Sequence, residues 1–139
     1  MNTTARRPAV MQLSQKFYFE AAHTLQRVFE VESSRRIHGH TYSGEVTVAG
    51  SADERSGMVM DLATLKTAIE VTREKLDHRL LDEVVGLGAA TLENLCTYIA
   101  RDMEAQFGGA LVSVKVWREA SGERRCMPAA DGLNEDNEN

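Results

Sequence analysis

Two alternating runs, one ending on a histidine and one carrying two histidines near its start, constrain this chain most. From Leu13 to His23, the residues Leu13, Phe17, Phe19, Ala21 and His23 share one parity, while Ser14, Lys16, Tyr18 and Glu20 take a more polar one. Strand side chains alternate between two faces, so this period predicts a half-buried strand with His23 at its end. A second run, Ile37 to Gly50, sets His38, His40, Tyr42, Gly44, Val46 and Val48 on one face. Thr41, Ser43, Glu45 and Thr47 take the other, which an antiparallel sheet can turn to water. His38 and His40 then point the same way, and their imidazoles can reach one ion. A lone His-Gly-His more often decorates an exposed strand end. If the two strands pair antiparallel, however, His23 joins the other two. Three neutral imidazoles leave the fourth position of a tetrahedral zinc open, as in a catalytic site.

The rest of the chain supplies two helices and two more strands. Residues 1–11 read as a disordered leader ahead of one domain spanning 12–128. Thr24 to Arg36 is a charged connection, long for a hairpin. Ser51 to Gly57 reads as a turn. Asp61 is placed to cap a helix whose apolar stripe is Leu62, Leu65, Ile69, Thr72 and Leu76. That helix ends near Leu76-Asp77-His78, and Leu80 to Ala90, with its two glycines, reads as loop. Thr91 caps a second helix, with Leu92, Leu95, Ile99, Met103 and Phe107 as its stripe and Gly108-Gly109 as its stop. Leu111 to Glu119 is an apolar strand, Ser121-Gly122 turns it, and Glu123 to Met127 follows as a short strand. The acidic stretch 129–139 carries no core residues and reads as a disordered tail. This order, ββααββ, predicts an α+β layer: a four-stranded antiparallel sheet with two helices on one face. A sheet this small has open edges, which invite pairing between subunits.

Composition narrows the function classes. With 139 residues the chain is long enough for one domain with a real core. The net charge of −5 argues against a general nucleic-acid binder. No apolar run reaches the length of a membrane span, and the polar N-terminus has no signal-like apolar core, so export is not expected. Only two cysteines, Cys96 and Cys126, occur, which suits a reducing cytoplasm.

Five motifs in order carry a resemblance over about Leu13 to Met127: Phe19-Glu20-Ala21-Ala22-His23, His38-Gly39-His40, Leu76-Asp77-His78, Thr91-Leu92-Glu93-Asn94 and Val114-Lys115-Val116-Trp117-Arg118-Glu119. The chain resembles the 6-pyruvoyl-tetrahydropterin synthase family, which includes the 6-carboxytetrahydropterin synthases of queuosine biosynthesis. The resemblance implies the tunnelling fold, with trimers stacked into hexamers and active sites between subunits. It implies that His23, His38 and His40 hold a catalytic Zn2+ and that Asp77 and His78 form an acid/base pair. It implies that Glu119 anchors a pterin through a bidentate pair, with Thr91 helping. The substrate would be 7,8-dihydroneopterin triphosphate or a related dihydropterin, from which triphosphate is eliminated and whose side chain is rearranged or cleaved.

Each of these residues also has a plain structural use. Asp77-His78 suits a helix C-terminus, Thr91 an N-cap and Glu93 a first helical turn. Arg35 and Arg36 suit a solvated loop, although Arg36 is also a candidate for the triphosphate. Two positions depart from the family pattern. The best-studied members carry a cysteine four residues before the His-Gly-His, where this chain has Ser34. An aldolase-type branch carries a glutamate three residues before it, where this chain has Arg35. Glu32, nearby on the connection, is the candidate substitute base. Three functions follow: a pterin synthase or lyase, a same-fold enzyme cleaving another pterin by retro-aldol chemistry, and a non-catalytic zinc- and pterin-binding protein.

Overall fold

A computed structural model of the chain describes residues 9–25 and 31–128. Strand β1 (Val10–His23) pairs antiparallel with β2 (His38–Ser51), β2 with β3 (Leu111–Arg118), and β3 with β4 (Glu123–Pro128). The sheet order is β1-β2-β3-β4, with helices α2 (Leu62–Glu74) and α3 (Leu92–Phe107) packed on it. This is the expected α+β layer. The connection after β1 adds a five-residue helix, α1 (Val31–Arg35), which the charge pattern did not announce. Strand β1 also starts earlier than expected. Val10 and Met11, assigned to the leader, pair with Ser51 and Gly50, because β2 is long enough to give them partners. The tail 129–139 and the rest of the leader, 1–8, lie outside the described residues. Among the described residues, no helix is long and apolar enough to cross a membrane.

Alternation builds the core from the sheet side. Phe17, Phe19 and Ala21 of β1, Tyr42, Val46 and Val48 of β2, and Val114 and Val116 of β3 are buried against the helices. The helices answer at three- and four-residue steps with Leu65, Ile69 and Thr72 of α2 and Leu95, Ile99 and Met103 of α3, and Leu76, just past the end of α2, joins them. Both expected caps form: Asp61 Oδ1 accepts from Ala63 N at 2.8 Å, and Thr91 Oγ1 accepts from Asn94 N at 3.1 Å. Gly108 ends α3 with φ of 52°. Leu62 falls outside its expected stripe, with 40% of its surface exposed in the first turn of α2. Cys96 of α3 is buried in the core beside Leu95 and Ile99.

The outer face of the sheet is less wet than its polar sequence suggests. Ser43 and Thr47 are buried because β2 is a central strand with neighbours on both sides. Ser43 lies between Tyr18 and Trp117, and the Thr47 hydroxyl meets the Ser14 hydroxyl at 2.7 Å. On the inner face, Gly44 is opposite Phe17, whose ring lies over it: a Cβ at Gly44 would stand 2.3 Å from Phe17 Cζ. The ring is buried and cannot leave without opening the core. Gly44→Ala is therefore expected to cost about 1–3 kcal/mol, read as a lower urea midpoint at constant m-value. An unchanged midpoint would mean that the ring can move aside freely.

Candidate metal centre and its surroundings

The antiparallel register sets His23 directly opposite His38, with His40 two residues further along β2. Since i and i+2 share a face, all three imidazoles meet at the same end of the sheet. Their ring centroids lie 4.5 Å apart for His23–His38 and 4.9 Å for each of the other two pairs, in edge-to-face arrangements. One ligand nitrogen from each lies within 4.8 Å of the others, so the group can hold a metal ion.

Outer partners orient the rings. His23 Nδ1 donates to the Ala90 carbonyl at 2.8 Å, and His38 Nδ1 donates to the Arg36 carbonyl at 2.7 Å. Each bond leaves Nε2 as the lone-pair nitrogen, the usual outer-partner pattern of a metal-ligating histidine. His23 Nε2 is buried and has no hydrogen-bond partner among the described groups. Burial lowers the His23 pKa, more than the Ala90 carbonyl raises it, and this favours the neutral form a metal needs. An orphaned buried lone pair facing two further imidazoles fits a divalent ion with nitrogen ligands. The Thr24 backbone N–H and hydroxyl both donate to Asp82, which pins the chain just beyond His23.

Asp77 and His78 reach this end of the sheet by a long-range contact. After α2 the chain turns and lies along the edge of β1: His78 N donates to Glu20 O at 2.6 Å, and Ala22 N donates to Arg79 O at 3.0 Å. The side chains of the adjacent Asp77 and His78 meet because His78 takes a positive φ of 56° that folds it back. His78 Nδ1 lies 2.9 Å from Asp77 Oδ2, while Asp77 Oδ1 accepts from Glu20 N at 2.9 Å. The Glu20 N–H bond, more than His78 and Arg73, holds the Asp77 carboxyl below the usual carboxylate range against a smaller opposing effect of burial. His78 is 76% exposed and lines an open hollow together with His40, Gly39 and Glu20.

The other expected site residues divide. Thr91 lines a cavity beside His23 while serving as the α3 cap. Arg36 contributes its backbone carbonyl to His38, not its guanidinium. Glu32 is exposed on α1 and stands outside the metal-competent group. The side chain of Ser34 is not among those described. Glu119 lies just past the end of β3, in the turn Glu119–Ser121, where its Oε1 accepts the Trp117 indole N–H at 2.8 Å. The residue that reaches the cluster is Arg118, whose Nη1 donates to His40 Nε2 at 3.1 Å. The alternation of Val114, Val116 and Arg118 along β3 held that signal. Tyr42 completes the surroundings. Burial pushes its hydroxyl up to about 12, so it is a hydrogen-bond donor at any ordinary pH.

Comparison with known proteins agrees with this geometry. The family model described as 6-pyruvoyl tetrahydropterin synthase matches residues 12–126. The 6-carboxy-5,6,7,8-tetrahydropterin synthase of Synechocystis sp. is 35% identical over 106 residues, which cover 73% of this chain and 81% of that protein. The 6-pyruvoyl tetrahydrobiopterin synthase of Drosophila melanogaster is 45% identical over 73 residues, 50% of this chain and 44% of that protein. Among solved structures, the 6-pyruvoyl tetrahydropterin synthase of Caenorhabditis elegans superposes with a TM-score of 0.78 at 25% identity, covering 90% of this chain and 99% of that one.

Proposed function

Because this chain belongs to the 6-pyruvoyl tetrahydropterin synthase family, we propose that it is a zinc-dependent pterin synthase or lyase. Its substrate on this reading is 7,8-dihydroneopterin triphosphate or a related dihydropterin. Triphosphate is eliminated and the side chain is rearranged or cleaved. The observation that supports the reading is one open hollow lined by both His40, a member of the metal-competent cluster, and His78, which is paired with Asp77.

His23, His38 and His40 would hold the zinc, which, when bound, supplies Lewis-acid stabilisation of negative charge developing on the substrate side chain. His78 moves the protons. Its Nδ1–H is donated to Asp77, so Nε2 carries the lone pair that takes a proton from a substrate carbon and returns it to the next. Asp77 holds that tautomer and stabilises the imidazolium that forms. His78 is exposed, so it can also exchange its proton with water.

The subunits would assemble as a hexamer, a dimer of trimers with sites between subunits. Support comes from the sheet edges at β1 and β4, where edge strands offer backbone groups to a neighbouring chain. The same reading takes the cytoplasm as its compartment, on the low cysteine content.

The test is product identification by mass after incubating the zinc-loaded protein separately with dihydroneopterin triphosphate, dihydroneopterin and sepiapterin. Release of triphosphate with a modified side chain is the expected result. A protein that binds zinc yet turns over none of the three would overturn the enzymatic reading.

A further inference from the structure

His23 and His38 form the last pair of the β1–β2 ladder, and His40 stands two pairs further in. The end of a strand ladder frays at little free-energy cost unless the chain beyond it is tied down. A frayed His23 would leave two imidazoles where three are needed. A metal would then be held only for the fraction of time that the ring is in place. The segment after α2 supplies the tie. From Asp77 to Asp82 it lies along the free edge of β1, anchored by Leu76 and Leu81, both fully buried. It meets every second residue of that edge. Asp77 and His78 engage Glu20, and the Arg79 carbonyl accepts from Ala22 N at 3.0 Å. Asp82 takes the Thr24 N–H at 2.9 Å and the Thr24 hydroxyl as well. Thr24 is one residue past the ladder, so this last contact closes behind His23.

We propose that Asp82 is a positioning residue of the metal centre: it latches the chain just past His23 and so keeps that imidazole within the group that can hold the ion. The proposal rests on the metal reading above. Asp82 is exposed and is not a member of the ligand group, so it acts through Thr24. Its charge acts on His23 less than those of His38 and Arg118 do, which leaves the grip on Thr24 as the main lever. The ring itself is held by the Ala90 carbonyl at 2.8 Å, and the latch keeps the ring beside that carbonyl. One segment thus carries the acid/base pair at its start and the hold on a metal ligand at its end. Their relative placement is set by a single run of contacts along β1. A site assembled in advance in this way spends none of its binding free energy on ordering its ligands.

Cobalt(II) titration of the full chain, followed by visible absorption, tests this. Asp82→Ala is expected to weaken binding by about tenfold or more, which corresponds to His23 being in place about a tenth of the time. Asp82→Asn removes the charge but keeps both contacts, since its amide oxygen can accept from Thr24 N and its NH2 can donate to the Thr24 hydroxyl. It is expected to bind cobalt nearly as well as the wild type. A second readout needs no metal. The His23 Nδ1–H is buried on the Ala90 carbonyl, and its exchange with water can be followed in the metal-free chain labelled with 15N-histidine. Asp82→Ala is expected to speed that exchange severalfold while the amides of Leu95 and Ile99, in the core, keep their protection. Four results would overturn the proposal: unchanged cobalt affinity in Asp82→Ala, equal weakening in Asp82→Asn, unchanged exchange of the ring proton, or release of the core amides as well. If the wild type takes up no cobalt, the metal reading fails by itself, and the ring proton then decides whether Asp82 holds His23: faster exchange in Asp82→Ala upholds that role and equal rates remove it.

Discussion

His38→Ala is expected to abolish stoichiometric zinc binding, measured as metal per chain after dialysis, while leaving the fold intact. The fold survives because His38 is only half-buried at the first position of β2 and lies outside the core. Binding fails because the group among the described residues contains three ligands, and two imidazoles cannot close the site. The loss should exceed the 10- to 100-fold that removal of an outer partner typically costs, roughly. Arg36→Ala is the matched control. The His38 ring is oriented by the Arg36 carbonyl, which any residue supplies, so zinc affinity should stay near the wild-type value. Equal zinc content in His38→Ala and wild type would remove the cluster as the metal centre.

Asp77→Asn is expected to lower kcat by about 10²- to 10⁴-fold with zinc content unchanged, the range attributed to one positioned proton-transfer group. The carboxylate accepts from three sides: Glu20 N at 2.9 Å, His78 Nδ1 at 2.9 Å and Arg73 Nη2 at 3.3 Å. An amide must present its NH2 to one of these donors. If it turns that group to His78, the ring is forced to carry its proton on Nε2, which removes the lone pair from the hollow. Activity within a few-fold of wild type would exclude the pair from the chemistry. A pH signature accompanies it. The folded pKa of Asp77 is depressed, so its stabilising contribution is complete above the unfolded value, about 3.9, and is lost as pH falls through the lower folded value. Acid unfolding of Asp77→Asn should lack that component.

Much of this site can be read from local pattern alone. Period-two alternation in β1 and β2 needs only the chain's own residues, and it carries His23, His38 and His40 to one face without knowledge of the helices. The caps at Asp61 and Thr91 were equally legible, because an N-cap is satisfied within three residues. Arg118 could have been found the same way, from its parity with Val114 and Val116. Glu119, which the motifs single out for a different role, sits in the turn Glu119–Ser121 and bonds the Trp117 indole.

Closure over long separations had no local signal. The docking of residues 78–80 along β1 joins groups some 57 positions apart, by the Asp77–Glu20 bond. Neither partner's neighbourhood encodes the other. The fold-back at His78 depends on that docking, since a positive φ at a non-glycine residue is held only by its surroundings. Likewise, the burial of Ser43 and Thr47 came from the position of β2 inside the sheet, not from their own polarity. By itself, then, the order of residues determined the strands, the helix starts and the shared direction of three imidazoles, because those follow from repeats of two and 3.6 residues. Only the folded chain decided that Asp77 and His78 touch, and that the Arg118 guanidinium meets His40. Such contacts depend on packing between segments that no short window contains.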